Sequence, residues 1–272
     1  MGYDFNKKNI VITGGSSGIG KALAIKLLNL GAKIWVLARD EGKIYNLINE
    51  IGEKSNSFNY YLIDVQDYEG LLKIRDEFKQ NNIPIHGLIN SAGVAHPAEF
   101  DKLEVEQYRW LMDVNYFGTV HTVLAFKPLM AAGSFIVNIS SMAGLIGVYG
   151  YSAYGSSKFA VRGFSDVIRS ELKLKDIHVS IVYPPDTDTP QLTYENKIKP
   201  AITKKIAGSA NILSAANVAE EIIRGVGRKK YLIIPGFESK LIYHLSNILG
   251  PLFFPVMDFM VNRAVKEINR NK

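Results

Sequence analysis

Tyr154 and Lys158, in the stretch Ala153-Tyr-Gly-Ser-Ser-Lys-Phe-Ala-Val161, stand four residues apart on a segment patterned as helix. Positions i and i+4 share one face of a helix, so the lysine ammonium is carried alongside the phenol. A free phenol titrates near pH 10 (about 10 in model peptides), too high to trade protons readily at neutral pH. A neighbouring cation favours phenolate and lowers that value. A shift of about three units needs roughly 4 kcal/mol of differential stabilisation, available only in a partly desolvated site. Alone, such a pair is more often an exposed helical contact than a proton-transfer device. Its surroundings decide.

The elements around the pair alternate. Apolar runs predict strands at Asn9–Thr13, Ile34–Ala38, Tyr60–Asp64, Gly87–Asn90, Phe135–Ser140, His178–Tyr183 and Tyr231–Pro235. Helical patterns between them fall at Ile19–Leu30, Tyr68–Asn81, Val105–Met130, Ser152–Leu174 and Ala215–Val226. Strand–helix alternation implies parallel strands with right-handed crossovers, an α/β, Rossmann-like doubly wound sheet of about seven strands with helices on both faces. Ligands bind such sheets at the carboxyl ends of the strands. With 272 residues and 47% apolar composition, one large domain is expected over residues 1–240, followed by an apolar and basic extension, 241–272. The net charge of +6 suits an anionic ligand or an anionic membrane surface. No Lys/Arg-rich run or RNA-binding signature points to nucleic acid, and no ligand spacing points to a metal. Cysteine is absent, which excludes disulfides and thiolate metal sites. The chain passes from its first residues into a strand without an apolar signal segment, so a cytoplasmic start is expected.

The first predicted strand runs into Gly14-Gly-Ser16-Ser17-Gly18-Ile19-Gly20 and then a helix. Glycines permit a tight turn and close approach to a pyrophosphate, whose charge rests on the N–H groups opening the helix. In this strand–turn–helix context the motif predicts a dinucleotide site. The second strand ends Ala38-Arg39-Asp40, with arginine where an acid would hold a ribose 2′-hydroxyl. Arginine fits a 2′-phosphate, so NADP(H) is expected; the alternative is Asp40 turned inward with Arg39 as surface charge. Asp64 and Val65 close the third strand and are placed to meet the adenine. Asn90, Ser91, Ala92 and Gly93 end the fourth with small residues where a cofactor passes closely.

Together, Thr13-Gly14 to Gly20, Asn90-Ser-Ala-Gly93, Asn115 in Asp-Val-Asn-Tyr-Phe-Gly-Thr, Ser141 in Asn-Ile-Ser-Ser-Met-Ala-Gly and Tyr154-Gly-Ser-Ser-Lys158 resemble the short-chain dehydrogenase/reductase superfamily over roughly residues 8–236. The resemblance implies metal-free hydride transfer between a nicotinamide and a carbonyl or alcohol. It makes Tyr154 the general acid and Lys158 the group that lowers its pKa and holds the nicotinamide ribose. By the same resemblance Ser141 polarises the substrate oxygen and Asn115 helps hold a water that relays protons to Lys158. It also brings Pro184, Thr187 and Thr189 to the nicotinamide, Thr189 at its carboxamide, and implies a homodimer or homotetramer.

The stretch Tyr183-Pro-Pro-Asp-Thr-Asp-Thr-Pro-Gln191 carries Pro185 where most of the superfamily has glycine. With Glu195-Asn196 and Lys199-Pro200 it resembles the 3-ketodihydrosphingosine reductases, which implies a long-chain lipid ketone as substrate and NADPH as reductant. Residues 186–213 are expected to form a polar substrate loop. Asp186 or Asp188 suits a substrate ammonium, or both cap turns. In the extension, Leu241, Leu245, Ile248, Leu249, Leu252 and Phe253 form an apolar stripe. Pro251 and Pro255 argue against one spanning helix. The stripe fits either a peripheral membrane contact through 241–262, with Arg263, Lys266, Arg270 and Lys272 near anionic headgroups of a cytosolic membrane face, or a dimer interface.

Overall fold

In the computed structural model, which describes residues 3–208 and 211–270, seven parallel strands form one sheet. They are β1 (Asn9–Thr13), β2 (Lys33–Ala38), β3 (Phe58–Leu62), β4 (Ile85–Asn90), β5 (Met130–Ile139), β6 (His178–Val182) and β9 (Leu232–Ile233). Their order is β3-β2-β1-β4-β5-β6-β9. The chain reverses direction of winding beside β1, which opens a crevice at the carboxyl ends of β1 and β4. The near-continuous apolar run Asn9-Ile-Val-Ile-Thr13 is what a strand covered on both faces requires, and Ile10, Val11 and Ile12 are fully buried.

One face is covered by α1 (Gly18–Asn29), α2 (Glu41–Ile51) and α9 (Ala215–Gly227), whose Leu23, Leu27, Ile44, Leu47, Val218 and Ile222 enter one core cluster. The other carries α3 (Tyr68–Gln80), α5 (Gly118–Phe126) and α6 (Ser152–Lys173), with Leu71, Phe78, Val123, Phe126 and Leu172 in a second cluster. The expected fold therefore holds, with differences at its boundaries. Helix α2 went unpredicted, although Asp40 caps it by accepting from Lys43 N–H at 3.0 Å.

The helix expected over Val105–Met130 is several pieces. Helix α4 (Val105–Met112) gives way to a π turn at Asp113–Phe117, then α5, then a 3-10 turn at Lys127–Leu129. Pro128 lacks the N–H that would extend α5, and Met130 already opens β5. The polar substrate loop is largely helical. A two-residue strand β7 (Thr187–Asp188) leads to α7 (Pro190–Ile198) and α8 (Ala201–Ala207), and β8 (Leu213–Ser214) pairs back with β7. Thr189 at the cap and Pro190 at the first helical position set where α7 starts.

The extension forms α10 (Phe237–Leu249) and α11 (Phe253–Arg270). By length and composition Phe237–Arg270 suffices to cross a membrane, but Gly250, at φ +51°, and Pro251 break it in two. Pro255 sits in the first turn of α11, where its missing N–H costs nothing. Lys272 lies outside the described residues.

Candidate active site

A cavity of about 1060 Å³ runs along the carboxyl ends of the central strands. At one end lie Gly14, Ser16, Ser17, Gly18 and Ile19, the turn from β1 into α1. Gly14 holds φ +65°, and a Cβ there would lie 2.8 Å from the Ala92 Cα, so only glycine admits this approach of β1 to β4. The turn opens α1 without an acidic residue in its first turn, which leaves the partial positive charge of the helix terminus for an anion. Thr13 Oγ1 accepts from the N–H groups of Ser91 and Ala92, both at 3.1 Å, and fixes the facing loop. Arg39, Asp64, Val65, Ala92 and Gly93 also line this end, joined by Asp40 and Lys43.

Further along the wall stand Ser141, Tyr154 and Lys158. Ser141 follows β5 and caps a 3-10 turn by accepting from Ala143 N–H at 3.2 Å, which leaves its own O–H to donate. Tyr154 and Lys158 both lie in the first two turns of α6, as the four-residue spacing requires. The ammonium is 5.7 Å from the centre of the phenol ring. Lys158 Nζ donates to the Ile139 carbonyl at 3.1 Å, and Ser140 Oγ donates to the Lys158 carbonyl at 3.0 Å.

The electrostatics differ from the expectation of a lowered phenol. Burial, then the charge of Glu195, push Tyr154 well above its ordinary value, and Ser141 and Gln191 pull back only in part. Burial also lowers Lys158 to about 8, against a smaller opposing pull from Glu195. The protein's own field thus keeps the phenol protonated and leaves the lysine charge easily lost.

Three residues assigned to the site do not line the cavity. Gly20 packs on the turn itself, where a Cβ would lie 2.5 Å from the Gly14 carbonyl oxygen. Asn90 is buried in a polar chain, accepting from Thr122 Oγ1 at 2.6 Å and donating to Asn138 Oδ1 at 2.8 Å, so its amide ties β4 to β5 and α5. Asn115, in the π turn, accepts from Val94 N–H at 2.8 Å and donates to the Val94 carbonyl at 3.0 Å and Ser157 Oγ at 2.9 Å. Both its N–H groups are thereby used, and it clamps the loop after β4. A Cβ at Gly93 would meet Asn115 Oδ1 at 3.2 Å and Lys158 Nζ at 3.3 Å, so the clamp stands against the lysine.

Pro184, Thr187 and Thr189 line the cavity as expected. The threonine hydroxyls donate to backbone, Thr187 to the Pro185 carbonyl at 2.8 Å and Thr189 to the Thr187 carbonyl at 3.1 Å. Of the two aspartates expected to meet a ligand, Asp186 is bound by Lys199 Nζ at 2.9 Å, and Asp188 is exposed and lies outside the cavity lining. Glu195, which the sequence offers only as part of the resemblance and without a role in the site, lines the cavity. It is 6% exposed and accepts from the Tyr151 hydroxyl at 2.5 Å and the Gln191 amide at 3.0 Å. No local pattern marks it, because Tyr151 comes from a different segment. The far wall of the cavity is apolar, formed by Ile242, Leu245, Phe253, Val256, Met257 and Met260 of α10 and α11.

Comparison with known proteins bears on the family and the fold. A family model described as short chain dehydrogenase matches residues 8–199. The chain is 38% identical over 251 residues to the 3-ketodihydrosphingosine reductase of Mus musculus, covering 90% of this chain and 76% of that protein. It is 35% identical to the 3-ketodihydrosphingosine reductase of Dictyostelium discoideum, covering 96% and 84%. The fold resembles a crystal structure of a short chain dehydrogenase/reductase from Burkholderia phymatum in complex with NAD, with TM-score 0.81 at 22% identity and coverage of 92% and 96%.

Proposed function

The chain belongs to the short-chain dehydrogenase family of oxidoreductases, and from that premise we propose that it reduces the ketone of 3-ketosphinganine to sphinganine with NADPH. The observation that carries this reading is one cavity that joins an anion cradle, a Ser–Tyr–Lys group and an apolar wall suited to an alkyl chain. Relatives named 3-ketodihydrosphingosine reductase support the substrate.

The residues fit a dinucleotide. The glycine turn and the N-terminus of α1 would hold the pyrophosphate, Arg39 with Lys43 beside it would hold a 2′-phosphate, and Lys158 would hold the nicotinamide ribose. The bound nicotinamide supplies the hydride. Tyr154 gives its proton to the carbonyl oxygen as charge develops there, and its raised pKa keeps that proton in place until then. Ser141 donates to the same oxygen and spreads the developing charge. Asn115 positions Lys158 through the Gly93–Val94 loop segment.

In this reading residues 1–240 bind cofactor and ketone, while 241–272 complete the lipid pocket and rest on the cytosolic face of a membrane. Ile248, Leu252, Phe254 and Phe259 are 66–80% exposed, with Arg263, Lys266 and Arg270 nearby for anionic headgroups. Exposed Phe117 and Leu124 of the π turn and α5, with Phe159 and Val167 on α6, support a homodimer or homotetramer.

The test is NADPH consumption by purified protein with 3-ketosphinganine in detergent micelles, beside NADH and a panel of simple ketones. Turnover confined to the sphingoid ketone with NADPH is expected. Turnover of other ketones alone would overturn the substrate, and a preference for NADH would overturn the cofactor.

A further inference from the structure

We propose that Glu195 binds the ammonium group next to the substrate ketone and so selects an amino ketone over a plain one. The inference rests on the amino-ketone reading above and adds the residue that enforces it.

In 3-ketosphinganine the amine-bearing carbon adjoins the carbonyl carbon, so the nitrogen lies roughly 2.5 Å from that carbon by ordinary bond lengths. A ketone held at Tyr154 and Ser141 therefore places the cation beside Tyr154. The carboxylates in the cavity wall are Asp40, Asp64, Asp186, Glu195 and Glu238. Asp40 is taken by the cap of α2 and by Lys43, and Asp64 by Arg39, both at the glycine-turn end. Glu238 binds the backbone and side-chain N–H groups of Asn211 with its two oxygens. Glu195 reaches the reacting phenol through Tyr151, whose hydroxyl it binds and whose ring centre lies 5.5 Å from that of Tyr154, and its charge raises the Tyr154 pKa more than that of Asp186 does.

Lys199 separates those two. Its side chain is 1% exposed and lies 2.9 Å from Asp186 but 3.9 Å from Glu195. The direct partners of Glu195 are the neutral hydroxyl of Tyr151 and the neutral amide of Gln191, one on each oxygen. A carboxylate has about four acceptor positions, so acceptor capacity remains on both oxygens. Lys158, the other nearby cation, is turned to the Ile139 carbonyl. Asp186, with its side chain 35% exposed, takes the short contact to Lys199, and Glu195 is left as the buried carboxylate of the cavity wall whose close partners are neutral. A buried carboxylate held by neutral donors is stabilised by an ammonium ligand. The apolar wall of α10 and α11 sets the orientation by receiving the alkyl chain.

The test measures binding rather than turnover. With NADPH present, calorimetry in micelles compares sphinganine with octadecane-1,3-diol, which lacks the amine, on wild type, Glu195→Gln and Glu195→Asp. Wild type is expected to prefer the amine, and Glu195→Gln to lose on the order of 30-fold of that preference. Glu195→Asp, which keeps the charge, is expected to recover part of it. Unchanged NADPH affinity verifies that each variant is folded. The proposal is overturned if wild type shows no preference, or if Glu195→Gln weakens both ligands equally. Ketone turnover of wild type is read separately. A Glu195-dependent preference without turnover would sink the reaction and keep the residue, while turnover without preference would do the reverse.

Discussion

Arg39 donates through Nη1 to Asp64 Oδ2 at 2.9 Å, joining the ends of β2 and β3 across the mouth of the glycine-turn crevice. Both were expected to touch a dinucleotide, and in the protein they touch each other. Their side chains are 55% and 29% exposed, and exposed ion pairs are worth about 0–1 kcal/mol. So weak a pair yields readily to a phosphate that binds guanidinium through two oxygens. Arg39→Ala is expected to raise KM for NADPH about tenfold or more and to change KM for NADH little. Equal effects on the two cofactors, measured by initial rates, would remove Arg39 from phosphate recognition.

Lys158 makes stability depend on pH in a direction that can be worked out. Its folded pKa of about 8 lies below the ordinary 10.5, so between those values the unfolded chain binds more protons. The cost of burying this lysine is full below pH 8 and is relieved as pH rises from about 8 towards 10.5. Lys158→Met is therefore expected to be more stable than wild type at pH 7, by up to about 3 kcal/mol, with the advantage shrinking by pH 9.5. Urea unfolding at the two pH values checks it. A constant difference would show that the buried ammonium carries no such cost.

The exposed apolar residues of α10 and α11 distinguish a bilayer from a second copy of the chain. Ile248→Glu with Phe254→Glu is expected to reduce sedimentation with anionic vesicles severalfold, since each apolar side chain contributes on the order of 1.5–3 kcal/mol on burial. Light scattering on the same variant reads the alternative. A fall to monomer with vesicle binding retained would assign this face to self-association.

The parts legible in the sequence were those whose meaning is local. The turn from Gly14 into α1 lies within seven residues, and the Tyr154–Lys158 pair needs only the pitch of a helix to be placed. The strands were legible because burial on both faces leaves continuous apolar runs. What escaped depends on segments that meet only in three dimensions. Asn90 resembled a cofactor contact by its position at a strand end, but Thr122 and Asn138 claim its side chain. Glu195 carried part of a resemblance but no role until α7 brought it to the hydroxyl of Tyr151, whose ring adjoins that of Tyr154. The sign of the Tyr154 shift was missed for the same reason, since a spacing argument weighs the lysine and not the burial.

The cavity wall is assembled from widely separated stretches, with the glycine cradle near residue 14 and the apolar side from residues 242 to 260. Translation delivers them in that order. A growing chain therefore has the residues of its glycine cradle while the far end of the cavity is still open to water, and the apolar wall closes that end only once α10 and α11 have emerged. In the proposed reading, capture of a lipid waits on the last two helices, because a chain ending after β9 lacks the apolar wall that they supply.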